Sequence, residues 1–227
     1  MRLEKYLVSC GIGSRREIKN FVNSGRIKVN NQIILDEGEN IDEINSKILF
    51  DDKNLEKKKL KYYIMHKKAG YITAMKDDRN HIVTELLPDW VEKQALFPVG
   101  RLDKDTEGLL LFTNDGELNY DMTHPIKKFS KKYYAELRDE ISDDDILKIE
   151  NGINIGSHDC LPSKIQKLTN KSVYITIFEG KFHQVKRMFK AVNNKVYYLK
   201  RVEFGNLTLS DMELGEVREI QREDIKI

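Results

Sequence analysis

Apolar residues recur at helical spacing from the start of the chain. Leu3, Tyr6 and Leu7 fall on one side, and Ile18, Phe21 and Val22 repeat the pattern after a short polar break. Ser14 stands three residues before Glu17, the pairing of an N-terminal capping box, and Gly25 is placed to end the second helix. Arg26-Ile27-Lys28-Val29 then reads as a strand, Asn30-Asn31 as a tight turn and Gln32-Ile33-Ile34 as the returning strand. Two short helices and a hairpin are expected in residues 1–34. The segment Asp51 to Lys59 (DDKNLEKKK) carries no apolar periodicity and reads as a linker or the edge of one. It puts a boundary near residue 59 and divides the chain into 1–59 and 60–227.

Beyond that boundary the pattern turns strand-rich. Tyr62–Met65 and Leu109–Phe112 are short apolar runs, and Val173, Ile175 and Ile177 alternate with Tyr174, Thr176 and Phe178. Helices are expected near 82–93, after Asp115-Gly116, and from Ser142 to Asn151-Gly152. Val185, Met188, Phe189 and Val192 form one face of a further helix, with His183, Lys186, Arg187 and Lys190 on the other. Strands interleaved with helices and hairpins give an α+β class, with a mixed, mainly antiparallel sheet.

Charge changes this picture more than composition does. The net charge of +2 over 227 residues would not suggest nucleic acid, but its distribution does. Residues 1–34 hold seven Lys/Arg against two acids, residues 35–56 eight acids against two lysines, and residues 178–205 again seven cations against two acids. The cations Arg2, Lys5, Arg15, Arg16, Lys19 and Arg26 are candidates for phosphate contacts. A solvated helix face accounts for the same charge equally well. Cys10 and Cys160 form no CxxC pair, so neither a disulfide framework nor a cysteine zinc site is expected. No apolar signal core opens the chain and no run approaches membrane-spanning length, so a cytoplasmic location is expected.

The most unusual stretch is Gly100–Gly108, with three acids, two cations and a glycine at each end. Such a loop can present a side chain at the rim of a sheet, and a carboxylate beside a cation stays ionised to serve as nucleophile or base. An ordinary surface turn with an Arg–Asp pair has the same composition. Lys127–Ala135 interleaves cations with aromatic rings, as single-stranded RNA binders do and as a plain strand with a basic entry also does. The five histidines are scattered and stand at no metal-ligand spacing; no phosphate-binding glycine loop is present, and no metal is expected.

Taken in order, these stretches resemble the RsuA-type family of ribosomal RNA pseudouridine synthases. Leu96–Leu110 (LFPVGRLDKDTEGLL) looks like the family's catalytic motif, with the aspartate at Asp103. Lys131-Lys132-Tyr133-Tyr134-Ala135 looks like its Lys-x-Tyr strand, with the active-site tyrosine at Tyr133. Glu179–Phe189 (EGKFHQVKRMF) looks like its third motif and puts the basic partner of the aspartate on Lys186, where many relatives have arginine. Leu3–Leu7 and Ser14-Arg15-Arg16 resemble the alpha-L RNA-binding module of a small-subunit ribosomal protein. The family's Lys-Pro-x-Gly becomes Lys67-Lys68-Ala69-Gly70 here, which loses a proline but no reactive group.

The resemblance implies an isomerase that needs no cofactor and acts on a uridine flipped into a pocket. Asp103 would be the nucleophile, or the base at the ribose. Lys186 would keep Asp103 ionised through an ion pair. On an ideal helix Lys186 lies about 60° from Phe189 and so borders the core, while Lys190 points toward solvent. Tyr133 would pack on the base and assist proton transfer. Arg101 would help extrude the base, and Arg187 would hold RNA. The implied partner is ribosomal RNA, in a partly assembled small subunit, bound by a monomer. Lys104-Asp105 and the stretch Tyr71–Asp77 look more like the branch acting on 16S rRNA of the small subunit than the 23S branch. A non-catalytic assembly factor would share the basic N-terminal module but has no need of Asp103, Tyr133 and Lys186 together.

Overall fold

A computed structural model describes all 227 residues, Met1–Ile227. They form two compact units. The first is Met1–Leu60 with Glu92–Leu96, and the second is Lys61–Val91 with Phe97–Ile227.

The first unit contains α1 (Leu3–Ser9), α2 (Arg15–Asn23), β1 (Ile27–Val29), β2 (Gln32–Ile33), β3 (Ile48–Phe50) and β4 (Lys53–Asn54). Ser14 and Glu17 close a reciprocal capping box on α2, and Gly25 follows its end with φ +71°. Asn30 and Asn31 both take positive φ, the geometry a two-residue hairpin loop requires between β1 and β2. The four strands run in the order β2-β1-β3-β4, all antiparallel. Leu3, Leu7, Ile18, Val22, Ile27 and Ile48 fill the core between helices and sheet.

Part of the expected linker belongs to this sheet. Asp51 and Asp52 take positive φ and turn β3 into β4, while the amide of Leu55 donates to Ile48 O. Two-residue strands are too short to show a period of two, so polarity alone misread them.

In the second unit, β5 (Tyr62–Lys67), β6 (Phe97–Val99), β7 (Glu107–Thr113), α3 (Gly116–Thr123), β8 (Lys131–Leu137), α4 (Asp143–Glu150), β9 (Lys164–Thr169), β10 (Ser172–Ile177), α5 (Gln184–Ala191), β11 (Val196–Phe204), β12 (Leu207–Thr208) and β13 (Val217–Glu219) follow in order. Its main sheet is ordered β13-β5-β7-β11-β8-β10-β9. Every pairing is antiparallel except β7 with β11. That parallel pairing is brief, limited to Lys200 with Glu107 and Arg201 with Gly108. β6 takes the Leu111–Thr113 end of β7 instead. The sheet therefore divides beside β7, and the loop 100–106 between β6 and β7 stands at the division.

The expected helix at 82–93 is only a 3-10 turn, Val83–Leu86. Pro88 disfavours helical geometry in the residue before it, and Leu87 is accordingly extended at ψ 123°. Asp115 and Ser142 cap α3 and α4 as their sequence positions suggest. No helix is long and apolar enough to cross a membrane. Cys10 and Cys160 are free and buried, and burial pushes both thiols up to about 11.

Candidate active site

One row of residues crosses the centre of the sheet. Lys67 on β5 lies opposite Gly108 on β7, Gly108 opposite Arg201 on β11, Arg201 opposite Tyr133 on β8, and Tyr133 opposite Ile175 on β10. A cavity of about 260 Å³ opens over this row, lined by Asp103, Lys131, Tyr133, Ile177, Leu199 and Arg201 among others. It is slightly smaller than the ~300–1,000 Å³ of drug-sized ligand sites, which suits a single nucleobase.

Asp103 hangs from the 100–106 loop over the cavity and is about a quarter exposed. The loop is held on two sides. Thr73 Oγ1 donates to Leu102 O at 2.8 Å and accepts from Leu102 N at 3.1 Å. The fully buried Lys67 donates to the carbonyls of Thr106 (2.9 Å), Lys68 (3.0 Å) and Asp103 (3.2 Å). Burial pushes the Lys67 ammonium down to about 8, against the opposing pull of Asp105, Asp103 and Glu107. The amide of Gly70 donates to Lys104 O at 2.7 Å. Lys67-Lys68-Ala69-Gly70 thus grips the loop by hydrogen bonds without the family's proline.

Lys186 reaches the loop from α5. Its Nζ lies 3.3 Å from Asp103 Oδ2 and 2.5 Å from Asp105 Oδ1. The lysine expected to serve Asp103 alone bridges two carboxylates. Burial acts to raise the Asp105 carboxyl, but Lys186 outweighs it and holds Asp105 below the usual carboxylate range. His183 lies on the other side, with Nε2 3.6 Å from Asp103 Oδ1. It precedes α5 at φ +49°, its ring stacked on exposed Phe182.

Tyr133 is 8% exposed and Arg201 only 1%. Arg201 Nε donates to Leu109 O at 2.8 Å, and the guanidinium is hydrogen-bonded to the Tyr133 side chain. The structure therefore brings Asp103, Tyr133 and Lys186 together and adds Lys67, Thr73, Lys131, His183 and Arg201. Sequence patterning gave no signal for Arg201, because its place depends on strand register. Lys67 was visible in its motif and Lys131 in its strand, but neither with a role.

The expected RNA contacts are placed unequally. Arg101 is exposed at the cavity mouth. Arg187 is turned inward, donating to Ile155 O and Ser157 Oγ, so its guanidinium is spent on the fold. Arg2, Lys5 and Arg16 are exposed on the first unit. Arg15 pairs with Glu4, Lys19 with Glu37 and Arg26 with Asp51, and Arg26 also lies over the rings of Phe21 and Phe50. The acidic segment folds back onto part of the basic one, though exposed pairs of this kind stabilise little and a polyanion can displace them. No three His, Cys, Asp or Glu side chains are grouped to hold a metal ion.

Known proteins share both units. Residues 61–191 match the family described as RNA pseudouridylate synthase, and residues 1–43 match the S4 domain. The chain is 38% identical to an RNA pseudouridine synthase of Bacillus subtilis, YtzG, covering 100% of this chain and 98% of that one. It is 35% identical to ribosomal small subunit pseudouridine synthase A of Vibrio cholerae (99% and 98% covered). To ribosomal large subunit pseudouridine synthase B of Bacillus subtilis it is 32% identical (99% and 94% covered). A crystal structure of a pseudouridylate synthase superposes with a TM-score of 0.71 at 28% identity, covering 99% of this chain and 97% of that one. An N-terminal S4 domain, a divided sheet and an aspartate loop facing a buried tyrosine meet in one chain, and with these similarities they make it a member of the RNA pseudouridylate synthase family.

Proposed function

We propose that this protein converts a specific uridine of ribosomal RNA to pseudouridine, that the RNA is the 16S rRNA of the small subunit, and that it acts in the cytoplasm as a monomer on a partly assembled particle. The observation that carries the chemistry is the placement of Asp103 over a base-sized cavity walled by Tyr133. Lys186, 3.3 Å from Asp103, supplies the cationic partner of that carboxylate. Tyr133 supplies an aromatic wall for the flipped base, and Arg101 at the mouth meets the strand it leaves. Arg2, Lys5 and Arg16 on the S4 unit meet backbone phosphate. Preference for the small subunit rests on Lys104-Asp105 and Tyr71–Asp77 and on the similarity to the Vibrio cholerae small-subunit enzyme.

Mapping pseudouridines in the rRNA of cells with and without this protein tests the reading. Loss of one 16S site is the expected result. A site lost from 23S rRNA instead overturns the choice of subunit, and unchanged maps of both overturn the rRNA assignment.

A further inference from the structure

The floor of the cavity carries two cations and no counter-ion. Arg201 is 1% exposed, and its Nη2 is buried with no hydrogen-bond partner. Lys131 lines the same cavity two residues before Tyr133 on β8, bonded only to Phe129 O at 2.8 Å. Both lie over the face of Phe204, Arg201 at 4.6 Å and Lys131 at 5.3 Å from its centroid. Their charges oppose one another, and burial together with Arg201 pushes the Lys131 ammonium down to about 8. The carboxylate whose charge reaches Lys131 is Glu179, and it is already engaged by Leu161 N (2.8 Å), His158 Nε2 (2.9 Å) and Gln184 Nε2 (3.0 Å). At the rim, Asp103 is taken by Lys186 with His183 beside it. Buried charges are ordinarily paired, so two unpaired cations on one cavity floor mark a place where negative charge arrives.

We infer that Arg201 and Lys131 form the site that holds the uracil ring as an anion while it is detached from the ribose. The inference rests on the proposed function, and chemistry supplies the charge. When the C1′–N1 bond breaks, both bonding electrons leave with the base and spread over N1, O2 and O4. This holds whether Asp103 forms an ester bond to C1′ or first removes a proton from the ribose. The anion then turns and C5 bonds to C1′, either displacing the Asp103 ester and freeing its carboxylate or adding to the C1′–C2′ double bond as Asp103 returns the proton to C2′; the proton on C5 is then lost, and N1 takes one up. A backbone phosphate is a poor match for this floor. Phosphates stay with the strand at the mouth, where the exposed Arg101 and Lys181 line the cavity, whereas the base is the part that reaches Tyr133 and Arg201. Preorganised donors at the point where charge develops are worth about 100- to 1000-fold in rate each.

Single-turnover rates of C–N cleavage at saturating RNA test this with two substrates, a target RNA carrying uridine and the same RNA carrying 5-fluorouridine. Fluorine withdraws electrons and stabilises the departing anion, so that base needs the floor less. Lys131→Met should lose about 100-fold or more on uridine and less than about tenfold on 5-fluorouridine, with RNA affinity unchanged. Arg201→Lys, which keeps a buried charge if Arg201→Met does not fold, should show the same pattern more weakly. Equal losses on both substrates overturn the inference, as does weakened RNA binding with an unchanged cleavage rate. Wild-type protein that leaves uridine in rRNA untouched overturns the proposed function instead.

Discussion

Gly108 passes so close to Arg201 that a β-carbon on it would lie 2.2 Å from the Arg201 carbonyl oxygen and 2.5 Å from its nitrogen. Only glycine permits the short parallel pairing of β7 and β11, which sets the Asp103 loop above Arg201 and Tyr133. Gly108 also sits at φ +111°, where a side chain is strained even in open space. Gly108→Ala should destabilise the protein by about 2–4 kcal/mol, through overpacking and backbone strain together. Gly70→Ala is the control. Gly70 has φ +94°, but a β-carbon on it would meet nothing within 4 Å, so only the backbone cost applies, about 1 kcal/mol. Urea unfolding of the two variants compares them, and equal midpoints would mean that the β7–β11 approach does not matter to stability.

Asp103→Asn should abolish pseudouridine formation and leave RNA binding intact. The side chain is about a quarter exposed and receives no hydrogen bond on which the loop depends; Thr73 and Lys67 hold the backbone instead. The asparagine keeps that shape and removes the group able to attack or to take a proton. Tritium release from labelled RNA reads the activity, and wild-type rates would end the assignment of Asp103.

Lys186→Met should lower kcat far more than Lys190→Met. Lys186 contacts Asp103 and Asp105, whereas Lys190 is exposed on the same helix. Losing the cation beside the reacting carboxylate should cost about 100-fold or more, while Lys190→Met should act on apparent RNA affinity alone. Asp105→Asn removes the competing carboxylate and should cost less than about tenfold. Steady-state kinetics of the three variants decide it, and equal kcat losses for Lys186→Met and Lys190→Met would send the search for Asp103's partner to His183.

What was legible in the sequence was local. The capping box of Ser14 and Glu17, the Asn30-Asn31 turn and the position of Lys186 at the edge of an amphipathic helix each depend on residues a few places apart. What was hidden depends on register between distant strands. Arg201 reads as one more cation in a basic stretch until β11 is paired with β7 and β8. Arg187 reads as an RNA contact until the turn holding Ile155 and Ser157 is placed beside α5. Acids distant in sequence likewise neutralise Arg26 and Lys28 through the turn at Asp51 and Asp52.

The cations of the S4 unit should divide into two kinds. Arg16→Ala should weaken RNA binding and flatten the slope of log K against log salt by roughly 0.7–0.9, one phosphate contact, because Arg16 is exposed and its loss leaves the fold untouched. Arg26→Ala should lower thermal stability more than affinity, since Arg26 bonds Asp51 and covers Phe21 and Phe50. Filter binding at several salt concentrations, with melting curves, separates them. An unchanged slope for Arg16→Ala would remove it from the RNA contacts.

Lys131 should cost stability in order to serve the reaction, and pH exposes this. Its folded-state pKa of about 8 lies below the 10.5 of an ordinary lysine, so between those values the unfolded chain binds more protons than the folded one. The folded protein bears the full penalty of the buried charge below pH 8. Stability contributed at this position therefore rises as pH increases from about 8 to about 10.5, the reverse of an ordinary paired lysine. Lys131→Met keeps the apolar stem over Phe204 and deletes the charge opposed by Arg201. It should stabilise the protein at pH 7 by about 1–2 kcal/mol, a figure that allows for partial solvent screening, and the gain should shrink by pH 10. In the wild type, the same deprotonation should make kcat/KM fall as pH rises through about 8, since this ratio reports groups of the free enzyme. Denaturant melts of both proteins at pH 7 and pH 10, beside a pH profile of kcat/KM, check the two halves separately. A variant less stable than wild type at pH 7 would show that Lys131 is held by an anionic partner within the fold, and its charge would then not be free for a substrate.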